Sequence, residues 1–261
     1  MNALRLIARY IRHFFTAQTK YDIHSPFVFQ LLTEVIQNKK QDVNCQTIES
    51  LRKELCLSKE ILHITDLGAG STINLSTTRL VKDVAKNSAK SYKYGQLLYR
   101  LAQHFKPNSM LELGTSLGIS ASYLASGNPE GNLTTMEGCP ETAKAAQSNF
   151  DELGLTNINL ILGDFNDTLI PTLQKTKPLD FAFIDGNHQE KPTIDYFEEC
   201  LKYTHNDSVL VFDDIHWSEG MENAWSYIQN HPQVTVTIDL FFVGVVFLRK
   251  EQGEQHFTIR F

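Results

Sequence analysis

Residues 110–120, MLELGTSLGIS, run from an apolar stretch through Gly114 and Gly118 into the start of a helix. Glycine lets the backbone turn sharply and lets a ligand approach it closely. A helix start offers N–H groups that have no intrahelical partner. Together, at the carboxyl end of a strand, these make a nucleotide site. The segment is not a dinucleotide fingerprint, because Ser116 and Ile119 stand where the second and third glycines belong. Nor is it a P-loop, which needs Gly-Lys-Ser/Thr. Some twenty residues after Gly114 comes Glu137, at the position where such sites hold a ribose diol. Asp164, in ILGDFNDTL, falls at the rim where an adenine amino group would lie. Asp185 closes DFAFID, and Asp213 with Asp214 closes VLVFDD, so acids end four strands in succession. His188 follows Asp185 by three. Its imidazole, with an unperturbed pKa near ~6.5, suits removal of a hydroxyl proton. His216 and Trp217 follow the Asp pair and are placed to line an acceptor pocket, although packing explains a Trp there equally well.

These residues need strands to end on and helices to begin from. The pattern predicts strands near 109–113, 132–136, 157–162, 180–184 and 208–212. Helices fit near 118–126, 140–152, 166–174, 190–203 and 219–230. Strands alternating with helices imply βαβ units and a parallel sheet. The runs VTVTIDL and FFVGVVFLRK lie close together and predict an antiparallel pair at the sheet edge. Residues 1–90 read as a helical N-terminal attachment or lid, and residues 91–261 as the core. Leu4, Ile7, Ile11, Phe14 and Phe15 fall on one face of a first helix, with Arg5, Arg9, Arg12 and His13 on the other. The expectation is that this helix docks on the core or on a second copy of the chain, with a membrane surface as the second choice. Ser25 and Pro26 read as the N-cap and first residue of the next helix.

The chain of 261 residues is 42% hydrophobic and 21% charged, which suits a folded domain with a sizeable core. No run approaches the ~20 apolar residues of a membrane span. Arginines interrupt the N-terminal apolar stretch, so no secretory signal is read there. Four scattered cysteines show no metal spacing and suit a reducing, cytoplasmic setting. Net charge is −6, with four basic residues and no acid in residues 1–20, which leaves 20 basic against 30 acidic residues in the remainder. An acidic body argues against nucleic acid as a partner.

The order LELGTSLGIS, MEG, LGDF, FIDGNH, VFDDIHW resembles the class I S-adenosylmethionine-dependent methyltransferases over roughly residues 90–248. Within them it is similar to the O-methyltransferase-like subset: catechol and caffeoyl-coenzyme A types, and macrolide- and aminocoumarin-sugar O-methyltransferases. The resemblance implies an α/β fold with a Rossmann-like seven-stranded sheet, an antiparallel edge strand and the helical N-terminal attachment. It implies S-adenosylmethionine contacts at Glu112, Gly114, Ser116 and Ser120 around the first loop. Further contacts fall at Glu137, Gly138, Asp164, Phe165 and Asp185. It implies Mg²⁺, or Mn²⁺, on Asp185, Asp213 and Asp214, with His188 and Asp185 catalytic. Asp213 and Asp214 can both serve only if the chain has left the strand, since neighbours in a strand point to opposite faces.

A second glycine loop, DLGAGS at residues 66–71, has no ribose acid at the required distance and reads as part of the N-terminal region. The function expected is methyl transfer to a small or medium hydroxylated acceptor, metal-assisted. Alternatives are a metal-independent methyltransferase acting on an amine or protein side chain, and a nicotinamide-dependent oxidoreductase. A small-molecule acceptor is the expected partner, with a homodimer through the N-terminal helices left open.

Overall fold

Helices and strands change over where the polarity pattern does. The computed structural model describes residues 3–40, 42–65 and 78–261. Helix α1 (Ala3–Thr16) is followed by α2 (Pro26–Leu31), which runs on as a π-helical turn over Leu32–Ile36. Next come α3 (Val43–Leu55), β1 (Ile61–His63), β2 (Thr78–Leu80), α4 (Val81–Ser88) and α5 (Tyr92–Phe105). A strict alternation follows: β3 (Ser109–Leu113), α6 (Ile119–Gly127), β4 (Asn132–Glu137), α7 (Pro140–Glu152), β5 (Ile158–Leu162) and α8 (Phe165–Thr176). It continues through β6 (Leu179–Ile184), α9 (Glu190–Leu201), β7 (Thr204–Asp213) and α10 (Glu219–Gln229). The chain closes with β8 (Val236–Asp239), β9 (Val243–Phe247) and β10 (Gln255–Thr258). The DLGAGS loop, residues 66–71, lies outside the described residues.

The chain divides into two compact units, a central unit, Asn38–Thr172, and a terminal unit made of Met1–Gln37 with Leu173–Phe261. The expected boundary near residue 90 therefore falls inside the central unit. The region before it carries the antiparallel pair β1–β2 as well as helices.

In the central unit β3, β4 and β5 pair in parallel, in the order β3-β4-β5. Four of the five residues of β3 and four of the six of β4 are buried, as parallel strands covered on both faces require. Parallel pairing sends the carboxyl ends of all three strands to one edge. Helix α6 starts at Gly118, whose φ of +78° is left-handed, and a Cβ there would lie 2.5 Å from the Phe150 ring. That close approach explains the glycine. Leu62 of β1, Val81, Val84 and Ala85 of α4, and Leu117 of the glycine loop form one buried cluster. Residues from the region before 90 thus pack directly on the loop.

The terminal unit holds β6 to β10 in the order β10-β8-β9-β7-β6. β6 and β7 are parallel, and β9 is antiparallel to both β7 and β8. The antiparallel pair expected from VTVTIDL and FFVGVVFLRK is present. β10, which has only one buried residue and no apolar alternation, adds a parallel strand beyond β8. Ser25 caps α2 by accepting from the Val28 N–H, with Pro26 first in the helix.

Helix α1 docks on its polar side. His13 is buried and its Nε2 lies 3.0 Å from Asp239 Oδ1. Arg9 pairs with Glu222 at 2.8 Å. The second oxygen of Asp239 lies 2.8 Å from His216 Nε2, and His216 Nδ1 lies 3.1 Å from Glu222. The helix was expected to dock on the core or on a second copy of the chain; it meets the body with its polar face, through a paired ionic cluster, and the stripe stays exposed. Burial alone would raise the Asp239 carboxyl. Hydrogen bonds from His13 and His216 overcome that and hold it well below the usual carboxylate range. Asp239→Ala leaves two imidazoles without their acceptor. We expect urea unfolding to show a loss of about 3–5 kcal/mol, the cost of removing one member of a buried ionic cluster.

Candidate active site

The loop after β3 is held by the end of β4. The N–H groups of Gly114 and Thr115 both donate to the Met136 carbonyl, at 3.0 and 3.1 Å. Gly114, Ser116 and Gly118 all have positive φ, +101°, +48° and +78°. Serine resists that region, and its N–H is compensated by a 2.8 Å bond to Glu137 Oε2. The other oxygen of Glu137 accepts from the Cys139 N–H at 2.8 Å. Glu137 therefore ties the loop to the start of α7. A carboxylate offers about four lone-pair sites, so it retains acceptor capacity toward a diol. Gly138 beside it is half-buried.

Glu112 lies beneath the loop, fully buried. It accepts from the Thr135 hydroxyl, which lies 2.6 Å from the Thr115 hydroxyl. Glu112 thus supports the loop from below and has no accessible surface for a ligand. Ser120, in the first turn of α6, is also buried and hydrogen-bonds to Glu112. The two threonines were not singled out from the sequence, though their spacing to the loop and to Glu137 is legible once the strands are set. Asp164 and Phe165 stand at the start of α8, both half-buried. The Asp164 carboxylate accepts from the Asn166 N–H at 2.8 Å, and its carbonyl accepts from Asp167 and Thr168.

In the terminal unit the β6–β7 register sets Ile184 opposite Phe212, so Asp185 and Asp213 emerge side by side. Ligand atoms of Asp185, His188 and Asp213 all lie within 4.8 Å of one another. His188 Nε2 is 3.5 Å from Asp185 Oδ1, long for a hydrogen bond. Asp213 is 2% exposed. Asp214 is the first residue past the strand, with φ +52°, and is not in this group. The chain has left the strand as two ligands would require, yet His188 takes the third place. Asn187 has φ +63° and a buried Oδ1 with no hydrogen-bond partner. Two carboxylates and an imidazole suit a divalent cation. His216, expected to line an acceptor pocket, is committed instead to Asp239 and Glu222. Burial opposes its charge, but those two partners outweigh burial and shift its pKa upward.

Residues 111–215 match a family described as a methyltransferase domain. Glu112 through Asp214 lie inside the matched stretch, and His216 and Trp217 fall just beyond it. The chain is 33% identical over 124 residues to a catechol O-methyltransferase of Niastella koreensis, covering 46% of this chain and 55% of that protein. It is 31% identical over 129 residues to a catechol O-methyltransferase of Mycobacterium tuberculosis, covering 49% and 57%. The chain thus spans about half the length of the curated relatives it matches. The solved structure of the O-methyltransferase TomG from Streptomyces achromogenes, in complex with SAM, matches with a TM-score of 0.58 at 21% identity, over 85% of this chain and 95% of that one. An O-methyltransferase from Bacillus cereus in complex with SAH gives 0.57 at 20%, over 85% and 97%. At such identities the likeness is one of fold.

Within the matched stretch Glu112 carries a testable charge. Burial raises its pKa from 4.5 to about 7, against hydrogen bonds from Ser120 and Thr135 that pull it down. The folded state therefore holds the proton more tightly than the unfolded state. The stability from this group is whole below about pH 4.5 and is lost as pH rises through 7. The amount is on the order of 3 kcal/mol. Urea unfolding of Glu112→Gln should lack most of that decline between pH 5 and pH 8. A profile parallel to the parent's would show that Glu112 ionises there without cost.

Proposed function

We propose that this protein transfers the methyl group of S-adenosylmethionine to a hydroxyl of a small or medium acceptor, assisted by a divalent cation. The observation that carries the oxygen acceptor is the Asp185–His188–Asp213 group. A hydroxyl is a poor nucleophile until it loses its proton, and this group supplies both charge and base for that step. S-adenosylmethionine, when bound, would supply the electrophilic methyl group with its sulfur taking the bond electrons, and the acceptor hydroxyl would pass its proton to the His188 imidazole. Mg²⁺ or Mn²⁺, when bound, lowers the hydroxyl pKa and orients it. Asp185 and Asp213 would be its carboxylate ligands, with His188 either the third ligand or the base. Through Nε2, His188 cannot be ligand and base at once, and the two roles separate by experiment.

The central unit is assigned the cofactor: Gly114 and Ser116 for the methionine part, Glu137 for the ribose, Asp164 beside the adenine. The relatives named catechol O-methyltransferases make a vicinal diol the first acceptor to try. All four cysteines are free thiols, which supports a reducing, cytoplasmic setting.

Calorimetry should detect S-adenosylhomocysteine binding. Glu137→Ala should weaken it by about 1.5–3 kcal/mol, the range for a hydrogen bond to a charged group. Binding of neither cofactor nor product by the parent protein would defeat the reading. Mn²⁺ titration followed by electron paramagnetic resonance should show one site, weakened in Asp213→Asn with cofactor binding kept. If His188→Ala loses Mn²⁺ affinity, His188 is a ligand. If affinity holds while turnover falls by ~10²–10⁴, it is the general base. Full activity in excess chelator would favour the metal-independent methyltransferase.

A further inference from the structure

Helix α1 inverts the usual arrangement of a surface helix. Leu4, Ile7, Ile11 and Phe15 follow the spacing of a single helical face, and they are 73%, 54%, 50% and 79% exposed. The inward face carries His13 on Asp239 and Arg9 on Glu222. Tyr10 packs edge-on against Phe241 at 5.0 Å. The helix cannot roll its apolar stripe inward without breaking that ionic cluster. The stripe therefore needs a partner from outside the unit.

Charge identifies the partner. Arg5, Arg12 and Lys20 are exposed beside the stripe. Exposed Arg260 stacks over Phe14 at 3.9 Å and donates to the Phe14 carbonyl at 2.8 Å, adding a fourth cation at the helix end. Residues 1–21 contain no acid, although the whole chain is net −6. Tyr21, 82% exposed, is an aromatic ring with a polar tip, the type that settles at a membrane interface. In a symmetric pair of these helices, Arg5 and Arg12 of both copies would stand together with no acid on either helix to answer them. An anionic bilayer accepts the stripe in its headgroup boundary and pairs the arginines with phosphates.

We propose that α1, together with Lys20 and Arg260, docks this protein on the surface of an anionic lipid membrane. The test is co-sedimentation of the full chain with phosphatidylcholine vesicles, with and without phosphatidylglycerol, at low and high salt. The parent should pellet with the phosphatidylglycerol vesicles, be released by high salt, and stay in solution with phosphatidylcholine alone. Arg5→Ala and Arg12→Ala should each weaken binding roughly fivefold. Ile7→Ser with Ile11→Ser should abolish it while the thermal unfolding midpoint stays unchanged, since both side chains are exposed. Should that pair unfold the protein, the salt and lipid dependence of the parent still decides. Absence from every vesicle pellet, binding indifferent to lipid charge, or binding untouched by the arginine changes would overturn the proposal. A concentration-dependent dimer without vesicle binding, dispersed by the Ile7 and Ile11 changes, would assign the stripe to a second copy.

Discussion

The turn at Ser116 depends on one carboxylate. A non-glycine residue at φ +48° holds strain that local geometry must offset. Glu137 offsets it by accepting the Ser116 N–H, while its other oxygen accepts the Cys139 N–H. The parallel register makes this reachable, because Leu113 and Met136 are partners and the loop leaves β3 just where β4 ends. The Met136 carbonyl then collects two more amides of the loop. Without that stitching, a five-residue connection with three left-handed positions has no reason to keep one shape. A ligand meeting it would bear the ordering entropy itself.

Beneath the turn, the support is polar yet closed to water. Thr115, Thr135 and Glu112 form a hydroxyl–hydroxyl–carboxyl chain inside the central unit. A buried carboxyl is tolerable when it is neutral or well bonded. Here burial keeps the Glu112 proton on to about pH 7. Leu117 closes the other side, packed on α4 and β1. The loop is thus fixed by hydrogen bonds at its rim and base and by apolar contact on its flank.

β3, β6 and β7 were legible as apolar runs of the kind buried parallel strands carry, whereas β4, with two threonines, and the less buried β5 were legible from their alternation with helices. The loop and its acids were legible because glycines and strand-end carboxylates have few packing explanations. β10 was not, since QHFT shows neither an apolar run nor alternation. Which face of α1 docks was not legible, for a physical reason. Amphipathicity gives the direction of the apolar face but not which face the body meets, and Asp239, far away in sequence, decides that through His13. His216 was likewise drawn toward the acceptor by its nearness to Asp213. Its actual partners come from α10 and β8, which no local pattern announces.

The terminal unit sets two carboxylate–imidazole clusters close together in sequence, and they differ in spacing. Around Asp239 the contacts to His13 and His216 are 3.0 and 2.8 Å, ordinary hydrogen bonds, so the charges satisfy one another. Around Asp213 the approach of His188 Nε2 to Asp185 Oδ1 is 3.5 Å, within a group whose ligand atoms lie within 4.8 Å of one another. Ligands that share one ion at about 2–2.5 Å each stand at such separations from one another. Two acids drawn together at adjacent strand ends repel unless a proton or a cation intervenes. The tight cluster anchors the chain just after the strand end that carries the loose one, through His216 three residues past Asp213. There both ring nitrogens of His216 are held, Nδ1 by Glu222 and Nε2 by Asp239, which fixes the chain three residues beyond Asp213.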